Sequence, residues 1–214
     1  MKLELYYAPI ACSLVPYVML TEAGASFEVH PVDTGKRQQM SPEYLKLNPK
    51  HKVPVLVIDG EPLSENVAIQ QWIHRAYPQA KILPADPIQE LKAIALMAWC
   101  AAGIHHFLGI INTPTRVCDL PGSEETVKKV TAKMVYEAFK IADDMLSGCE
   151  WFFEHFTAPD AHFFWCFRRA TQLNLDVTPY HHCQAHFERI QKRASVQKVL
   201  AFEKETQAAF AKAA

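Results

Sequence analysis

The feature that most constrains the fold is a change in the spacing of apolar residues near residue 80. Before it, short alternating segments typical of strands are interleaved with segments of helical spacing, and after it only helical spacing remains. Between the two parts the chain loses both periods and carries Pro78, Pro84 and Pro87, which is typical of a linker. The sequence therefore predicts two domains, an α/β domain over 1–80 and a helical domain over 87–214.

The first domain is predicted to have the element order βαβαββα. A helix is predicted to begin at Ser41, which can cap it, with Pro42 in its first position. Asp59 and Gly60 lie between two strand segments and form a strong hairpin signal. The predicted strands cover 2–6, 27–32, 53–58 and 62–64, and the longer helices cover 12–23 and 65–77.

The second domain is predicted to be a bundle of helices. Thr157 and Asp160 have the spacing of a capping box, with Phe156 placed before them as a staple residue. The helix that follows is apolar almost all round, so we expect it to lie at the centre of the domain. The predicted helices cover 88–111, 123–146, 157–173, 179–191 and 195–212.

The composition argues against several classes of partner. The 22 Lys and Arg residues nearly balance the 23 Asp and Glu residues, so no strong field recruits nucleic acid or anionic lipid. The N-terminus lacks a signal-peptide pattern, and no stretch is expected to approach the roughly 18 apolar residues of a spanning helix. The six cysteines are scattered without CxxC pairs, as in a reducing compartment. We expect a cytoplasmic protein with a small-molecule substrate.

Cys12 lies at the turn between the first strand and the first helix. The unpaired N–H groups and dipole of a helix N-terminus favour a thiolate, so the position predicts a lowered thiol pKa. On position alone, a buried turn cysteine without function is equally favoured. Val53-Pro54 precedes a strand, and a cis bond there turns the backbone of Val53 towards a peptide-like ligand, whereas a plain trans edge proline does not.

Two further groups of polar residues admit both a functional and a structural interpretation. At the start of the third helix, N–H groups can bind a carboxylate and Glu65 can pair with an ammonium, although many helices begin with Ser-Glu as a cap alone. His182 and His186 share a helix face near His181 and Cys183, but no HExxH or CxxC motif accompanies them. We expect no metal.

The motifs taken together resemble those of a known family. The segments YYAPIACSLVPYVMLTEAG, NPKHKVPVL, LSENVAIQQWI and FTAPDA are similar to those of cytosolic glutathione transferases, and Cys12-Ser13 most resembles the bacterial beta class. The resemblance implies a thioredoxin-like N-terminal domain (βαβαββα), an all-α C-terminal helical domain and a homodimer. It also implies glutathione as the co-substrate.

The resemblance assigns roles to residues of the first domain. Cys12 matches the beta-class cysteine that meets the glutathione sulfur and can form a mixed disulfide with it. Val53, before the family's cis-proline Pro54, matches the residue that pairs with the cysteinyl backbone. Glu65 and Asn66 match the pair that binds the γ-glutamyl group, although relatives usually have Ser or Gly where Asn66 stands.

Other roles are left open by the resemblance. Either Lys36 or Arg37 matches the basic residue that reaches the glycine carboxylate. In the helical domain His105 matches a histidine that faces the sulfur, and His106 is its neighbour on another helix face. The beta-class asparagine seven residues before that histidine is Ala98 here, which removes a polar contact.

Three hydroxyl groups are candidates for stabilising the glutathione thiolate. Ser13 matches the serine that theta-like classes use, or can donate a hydrogen bond to the sulfur as a helper. Other classes use an N-terminal tyrosine, but Tyr6 and Tyr7 lie on the strand, so core packing is the expected role.

The expected function is transfer of the glutathione thiol to a small apolar electrophile or a mixed disulfide. Two alternatives remain open: a non-catalytic binding or partner protein of the same fold, and a specialised reaction such as reductive dehalogenation, ether cleavage or isomerisation. The segment 149–155 is bulkier than the glycine-bearing loop of relatives and has no functional explanation in the sequence.

Overall fold

The computed structural model describes residues 1–212 and divides the chain into two compact units. One unit joins Met1–Leu83 to the segment from Lys192 onward, and the other is Pro84–Gln191. The elements in chain order are β1 Leu3–Tyr7, α1 Leu14–Glu22, β2 Glu28–Pro31, α2 Pro42–Leu47, β3 Val55–Ile58, β4 Glu61–Ser64, α3 Asn66–Ala76, α4 Pro87–Trp99, α5 His106–Asn112, α6 Glu124–Met145, α7 Ala158–Gln172, α8 His181–Gln191 and α9 Ala194–Lys212.

The first unit contains a mixed four-stranded sheet in the order β2-β1-β3-β4. β1 is parallel to β2 and antiparallel to β3, which is antiparallel to β4, and Leu5 pairs with Val29 on one side and with Leu56 on the other. A βαβ crossover gives the parallel pair and the hairpin gives the antiparallel one. This is the predicted βαβαββα arrangement, and the thioredoxin-like fold class is confirmed.

The sheet of the first unit has a different apolar cluster on each face. Alternate residues of β1 point to one face, where Leu3, Leu5 and Tyr7 are buried. On the other face a smaller cluster forms around Tyr44 of α2 and includes Val55 of β3. Ser41 caps α2 as predicted, because its hydroxyl accepts the Tyr44 N–H at 3.2 Å. The cap and this cluster together place α2 against the sheet.

Packing places α9 with the first unit and not with α4–α8. Arg193 donates two hydrogen bonds, at 3.0 and 2.9 Å, to the Glu22 carboxylate at the end of α1, and Ser195 donates another. Phe202 packs edge-on to Tyr7, with ring centroids 5.6 Å apart. The domain division predicted from sequence, 1–80 and 87–214, stays a prediction, since the compact units place the chain from Lys192 onward with residues 1–83.

The second unit is built around α7, as the apolar pattern predicted. The predicted capping box forms, and the fully buried Asp160 accepts hydrogen bonds from the Thr157 N–H and hydroxyl, both at 2.8 Å. The same carboxylate accepts the Phe152 N–H at 3.0 Å and contacts His186 Nε2 at 2.8 Å. The bulky 149–155 segment is thus anchored to the N-terminus of α7 through Phe152.

The helix predicted over 88–111 is interrupted. Between α4 and α5 the chain forms a π-helical segment, Cys100–His105. A Cβ at Gly103 would lie 2.7 Å from Cδ1 of Trp99, so the absence of a side chain lets the indole pack over this turn. Such π turns are common near functional residues, and this one ends at His105.

The expectation that no stretch approaches the length and hydrophobicity of a membrane-spanning helix is wrong. Among the described residues, the helical stretch Pro87–Asn112 is long and apolar enough to span a membrane, and 33% of its most apolar window is buried. Helices in the cores of soluble proteins have the same length and composition, so this single stretch is weak evidence for a membrane span.

Candidate functional site

The structure brings Cys12 close to Val53 within the first unit. Cys12 lies in the turn after β1, immediately before Ser13, the N-cap residue of α1. Its Sγ is 3.7 Å from the carbonyl oxygen of Val53, and the Val53-Pro54 peptide bond is cis. The two residues singled out from separate motifs are therefore in contact in the folded chain.

The thiol of Cys12 does not have the lowered pKa that its position suggested. Burial raises the pKa of Cys12 to about 12, against the opposing effects of its own backbone N–H and of the Asn66 side chain. The side chain is only 7% exposed, so the charged form loses most of its hydration. The expectation of a thiolate-rich cysteine is therefore wrong for the protein without ligand.

The Ser13 hydroxyl already forms hydrogen bonds within the turn that precedes α1. Its fully buried hydroxyl donates to the Ala8 carbonyl at 3.1 Å and accepts the Ala8 N–H at 3.0 Å. These two bonds close the loop that carries Cys12. The role of Ser13 towards a ligand sulfur stays a prediction, and it requires exchange of the bond to Ala8.

The same turn is held by Glu203, a residue that was not identified from the sequence. Ile10 has a φ of 67°, a conformation that is rare for a β-branched residue, and its N–H donates to Glu203 of α9 at 2.7 Å. The Tyr7 hydroxyl donates to the same carboxylate oxygen at 3.1 Å. Glu203 is 3% exposed, and its position among the buried residues of α9 was the available signal.

The start of α3 approaches Cys12 from another side. The Asn66 side chain donates to the carbonyl oxygen of Cys12 at 3.2 Å. Its other amide atom, Oδ1, is buried and has no hydrogen-bond partner within residues 1–212. Glu65, at a φ of 75°, extends an exposed carboxylate that lies 2.5 Å from Nζ of Lys50. An exposed acid and a buried amide thus flank the beginning of α3.

The two basic candidates lie in the segment between β2 and α2. The Lys36 N–H donates to Asp33 Oδ1 at 3.1 Å, which shapes a turn, and Arg37 follows with a φ of 58°. Both side chains are exposed. The choice between Lys36 and Arg37 as a carboxylate ligand stays open.

His105 and His106 belong to the second unit. The ring of His105 lies edge-on to Trp165 of α7 with centroids 4.2 Å apart, and the ring of His106 lies 5.8 Å from that of Phe107. Burial, followed by the neighbouring His105, lowers the pKa of the fully buried His162 to about 3. The predicted roles of His105 and His106 stay predictions.

One of the histidines considered as metal ligands, His186, has another contact. His186 is buried, and its Nε2 contacts Asp160, so it is part of the α7 capping network. Elsewhere in residues 1–212, Glu4, Glu28 and His30 place their ligand atoms within 4.8 Å of one another, with the Lys2 ammonium 3.0 Å from Glu4. The expectation that the protein holds no metal stays a prediction.

Comparison with known proteins decides the family. Residues 1–75 match the family model described as glutathione S-transferase, N-terminal domain. The glutathione S-transferase GstA of Escherichia coli O157:H7 is 30% identical over 205 residues, which cover 94% of this chain and 98% of that protein. The chain belongs to the cytosolic glutathione S-transferase family. The expected family and enzyme class are thereby confirmed.

Solved structures of glutathione S-transferases agree with this assignment. The bacterial beta class enzyme of Sphingomonas chungbukensis has a TM-score of 0.83 at 29% identity, and the match covers 94% of this chain and 98% of that one. A sphingomonad glutathione S-transferase solved in complex with glutathione has a TM-score of 0.84 at 26% identity, with the same coverage of both chains. The whole two-part fold is therefore shared with glutathione S-transferases.

Proposed function

We propose that the protein binds glutathione in its first unit and uses the glutathione thiol, through Cys12, on a mixed disulfide or a small apolar electrophile. The observation that carries the proposal is the 3.7 Å approach of Cys12 Sγ to the Val53 carbonyl. A peptide-like ligand that pairs with the backbone of Val53 brings its own cysteinyl sulfur beside Cys12. The glutathione bound in a related structure supports this ligand.

The remaining parts of glutathione find partners of suitable charge in the same unit. The exposed Glu65 carboxylate is suited to the γ-glutamyl ammonium, and the first N–H groups of α3 are suited to the γ-glutamyl carboxylate. We assign Asn66 to the same end of the ligand. Lys36 or Arg37 pairs with the glycine carboxylate, as the family resemblance implies.

The disulfide reaction balances with the mixed disulfide and one free glutathione as its two reactants. The Cys12 thiolate attacks the glutathionyl sulfur of a mixed disulfide, a new S–S bond forms as the old one breaks, and the departing thiolate takes up the proton that Cys12 lost. A second glutathione then attacks this bond, leaves as glutathione disulfide and restores the Cys12 thiol. Because the pKa of Cys12 is about 12 without ligand, ionisation is the step that binding must assist.

The same raised pKa supports conjugation as a second reaction. A Cys12 that keeps its proton can donate an S–H hydrogen bond to the thiolate of bound glutathione, which then attacks the electrophile. His105 and His106 of the second unit lie beside Trp165 and Phe107, and such rings suit an apolar substrate. Turnover of both substrate types therefore has to be measured.

Calorimetric titration with glutathione tests the proposal. We expect saturable binding by the wild type, with turnover on a chlorinated nitroaromatic or on a glutathionyl mixed disulfide. Glu65→Gln is expected to weaken binding about tenfold or more, because a hydrogen bond between charged groups is worth about 1.5–3 kcal/mol.

Glu61→Gln is the matched control, since Glu61 is an exposed acid on β4 of the same unit. Its affinity for glutathione should equal that of the wild type. Absence of binding by the wild type contradicts the proposed function, and binding without turnover on either substrate favours the non-catalytic alternative.

We further propose that the protein is a cytoplasmic homodimer. All six cysteines are thiols, which suits a reducing compartment. Along α6 the exposed apolar residues recur at intervals that place them on one helix face. These residues are Val130, Met134, Ile141 and Met145, and α4 adds the exposed Ile88 and Leu91. The apolar face of α6 is suited to the same face of a second copy.

Sedimentation equilibrium tests the dimer. We expect a dimeric mass at micromolar concentration for the wild type, and a shift of Met134→Glu towards the monomer by at least about tenfold in dissociation constant, because a charge is buried unpaired in the interface. Lys129→Glu changes an exposed charge on another face of α6 and should leave the dimer intact. A monomeric wild type contradicts the proposal.

A further inference from the structure

We propose that Tyr44 and Asn48 are positioning residues for glutathione, acting through the backbone that precedes Val53. The inference rests on the proposed function and extends it to residues that do not touch the ligand. Both side chains reach the same acceptor, the carbonyl oxygen of Lys52. Neither residue was identified from the sequence.

The Lys52 carbonyl is held from two directions by buried donors. The Tyr44 hydroxyl donates to it at 2.7 Å and the Asn48 amide donates at 2.8 Å. Tyr44 is 4% exposed and Asn48 is 2% exposed, although Lys52 itself is an exposed residue. A carbonyl oxygen has two lone pairs, so these two bonds satisfy it completely.

Holding this carbonyl sets the direction of the Val53 N–H. The Lys52 C=O and the Val53 N–H belong to one planar peptide group, so fixing the oxygen fixes the hydrogen that points away from it. The next carbonyl, that of Val53, is the one that Cys12 Sγ approaches. The backbone groups proposed to pair with glutathione are thus oriented from behind by Tyr44 and Asn48.

The two donor side chains, Tyr44 and Asn48, are themselves held in place by packing and by a further hydrogen bond. The ring of Tyr44 packs in the cluster that includes Val32, Val55 and Val57. Asn48 also accepts the Lys50 N–H at 3.1 Å through Oδ1, which fixes the orientation of its amide. The exposed residues between Asn48 and Val53 have no such packing. Without the two donors, the peptide before Val53 therefore gains freedom that ligand binding has to remove.

Steady-state kinetics of Tyr44→Phe test the role, because the ring stays in the cluster and only the hydroxyl is lost. We expect KM and Kd for glutathione to rise about five- to tenfold, which corresponds to one hydrogen bond of about 1 kcal/mol. The kcat at saturating glutathione and KM for the second substrate should stay within about twofold. A loss of stability alone does not separate KM for one substrate from kcat in this way.

Tyr180→Phe is the matched control. The Tyr180 hydroxyl also donates to a main-chain carbonyl, that of Tyr136, at 3.1 Å, but in the second unit. It should lower the melting temperature by a similar amount and leave KM for glutathione unchanged. A wild type that does not bind glutathione overturns the proposed function and this inference together. Normal binding by the wild type with equal KM values for both variants overturns the positioning role alone.

Asn48→Asp tests the second donor to the Lys52 carbonyl. Asn48→Asp preserves the acceptor for the Lys50 N–H and replaces the donor to Lys52 by an oxygen. Its KM for glutathione should rise more than that of Tyr44→Phe, because two oxygens then repel each other. With glutathione bound, backbone amide exchange at Val53 should be faster in both variants than in Tyr180→Phe, and equal exchange in all three contradicts the inference.

Discussion

Replacement of Cys12 by alanine is expected to lower turnover of a glutathionyl mixed disulfide by more than about a thousandfold, because the nucleophile of the exchange is lost. The Kd for glutathione should stay within about threefold, since the proposed backbone contacts at Val53 and the charged contacts at Glu65 remain. Calorimetry and a coupled disulfide assay measure the two quantities on the same preparations. Cys149→Ala removes an exposed thiol that has no assigned role and should behave as the wild type.

The pH dependence of Cys12 alkylation provides an independent check of the same thiol. With a pKa of about 12, the thiolate fraction of Cys12 in the protein without ligand rises tenfold for each pH unit across the neutral and alkaline range. The logarithm of its alkylation rate should therefore increase with a slope of one from about pH 7 to pH 10. A plateau reached below about pH 8 would show a lowered pKa and contradict the burial argument.

Replacement of Asp160 by alanine is expected to cost about 4 kcal/mol of unfolding free energy. The fully buried carboxylate accepts hydrogen bonds from the Thr157 N–H and hydroxyl and from the Phe152 N–H, and it contacts His186. Its removal leaves these donors buried without a partner at the start of the central helix. For a chain of this size we expect the melting temperature to fall by about 10 °C.

Asp176→Ala is the control for the loss of stability. Asp176 also accepts hydrogen bonds from a backbone N–H and a hydroxyl, both of Thr178, but it is exposed. Water replaces those bonds, so the expected cost is below about 1 kcal/mol. Similar melting temperatures for the two variants would contradict the claim that burial makes the Asp160 network strong.

Elements with local signals were predicted well. The capping box at Thr157 and Asp160 and the serine cap of α2 depend on residues three apart in the chain, which the sequence displays directly. The hairpin turn at Asp59 and Gly60 has positive φ values at both positions, as those residue types favour. The π-helical segment was missed because one widened turn hardly alters the apolar spacing of a long helix.

The site was predicted in part. Features that depend on neighbouring residues were predicted, and contacts between residues far apart in the chain were not. The motif containing Cys12 and the one containing Val53 were recognised separately, and their contact is a product of strand pairing between β1 and β3. The hydrogen bond from Ile10 to Glu203 joins residues 193 positions apart, so no local sequence pattern predicts it. The pKa of Cys12 depends on how many atoms cover the sulfur, which also requires the folded chain.

The sequence by itself determined the order of strands and helices, the change of architecture near residue 80 and the family, because periodicity, caps and motifs are properties of neighbouring residues. Only the tertiary structure decided which buried donors hold the Lys52 carbonyl, which acid anchors the turn before Cys12, and that α9 belongs to the first unit. Those outcomes depend on desolvation and on hydrogen bonds between distant segments, and both are set by how the chain packs.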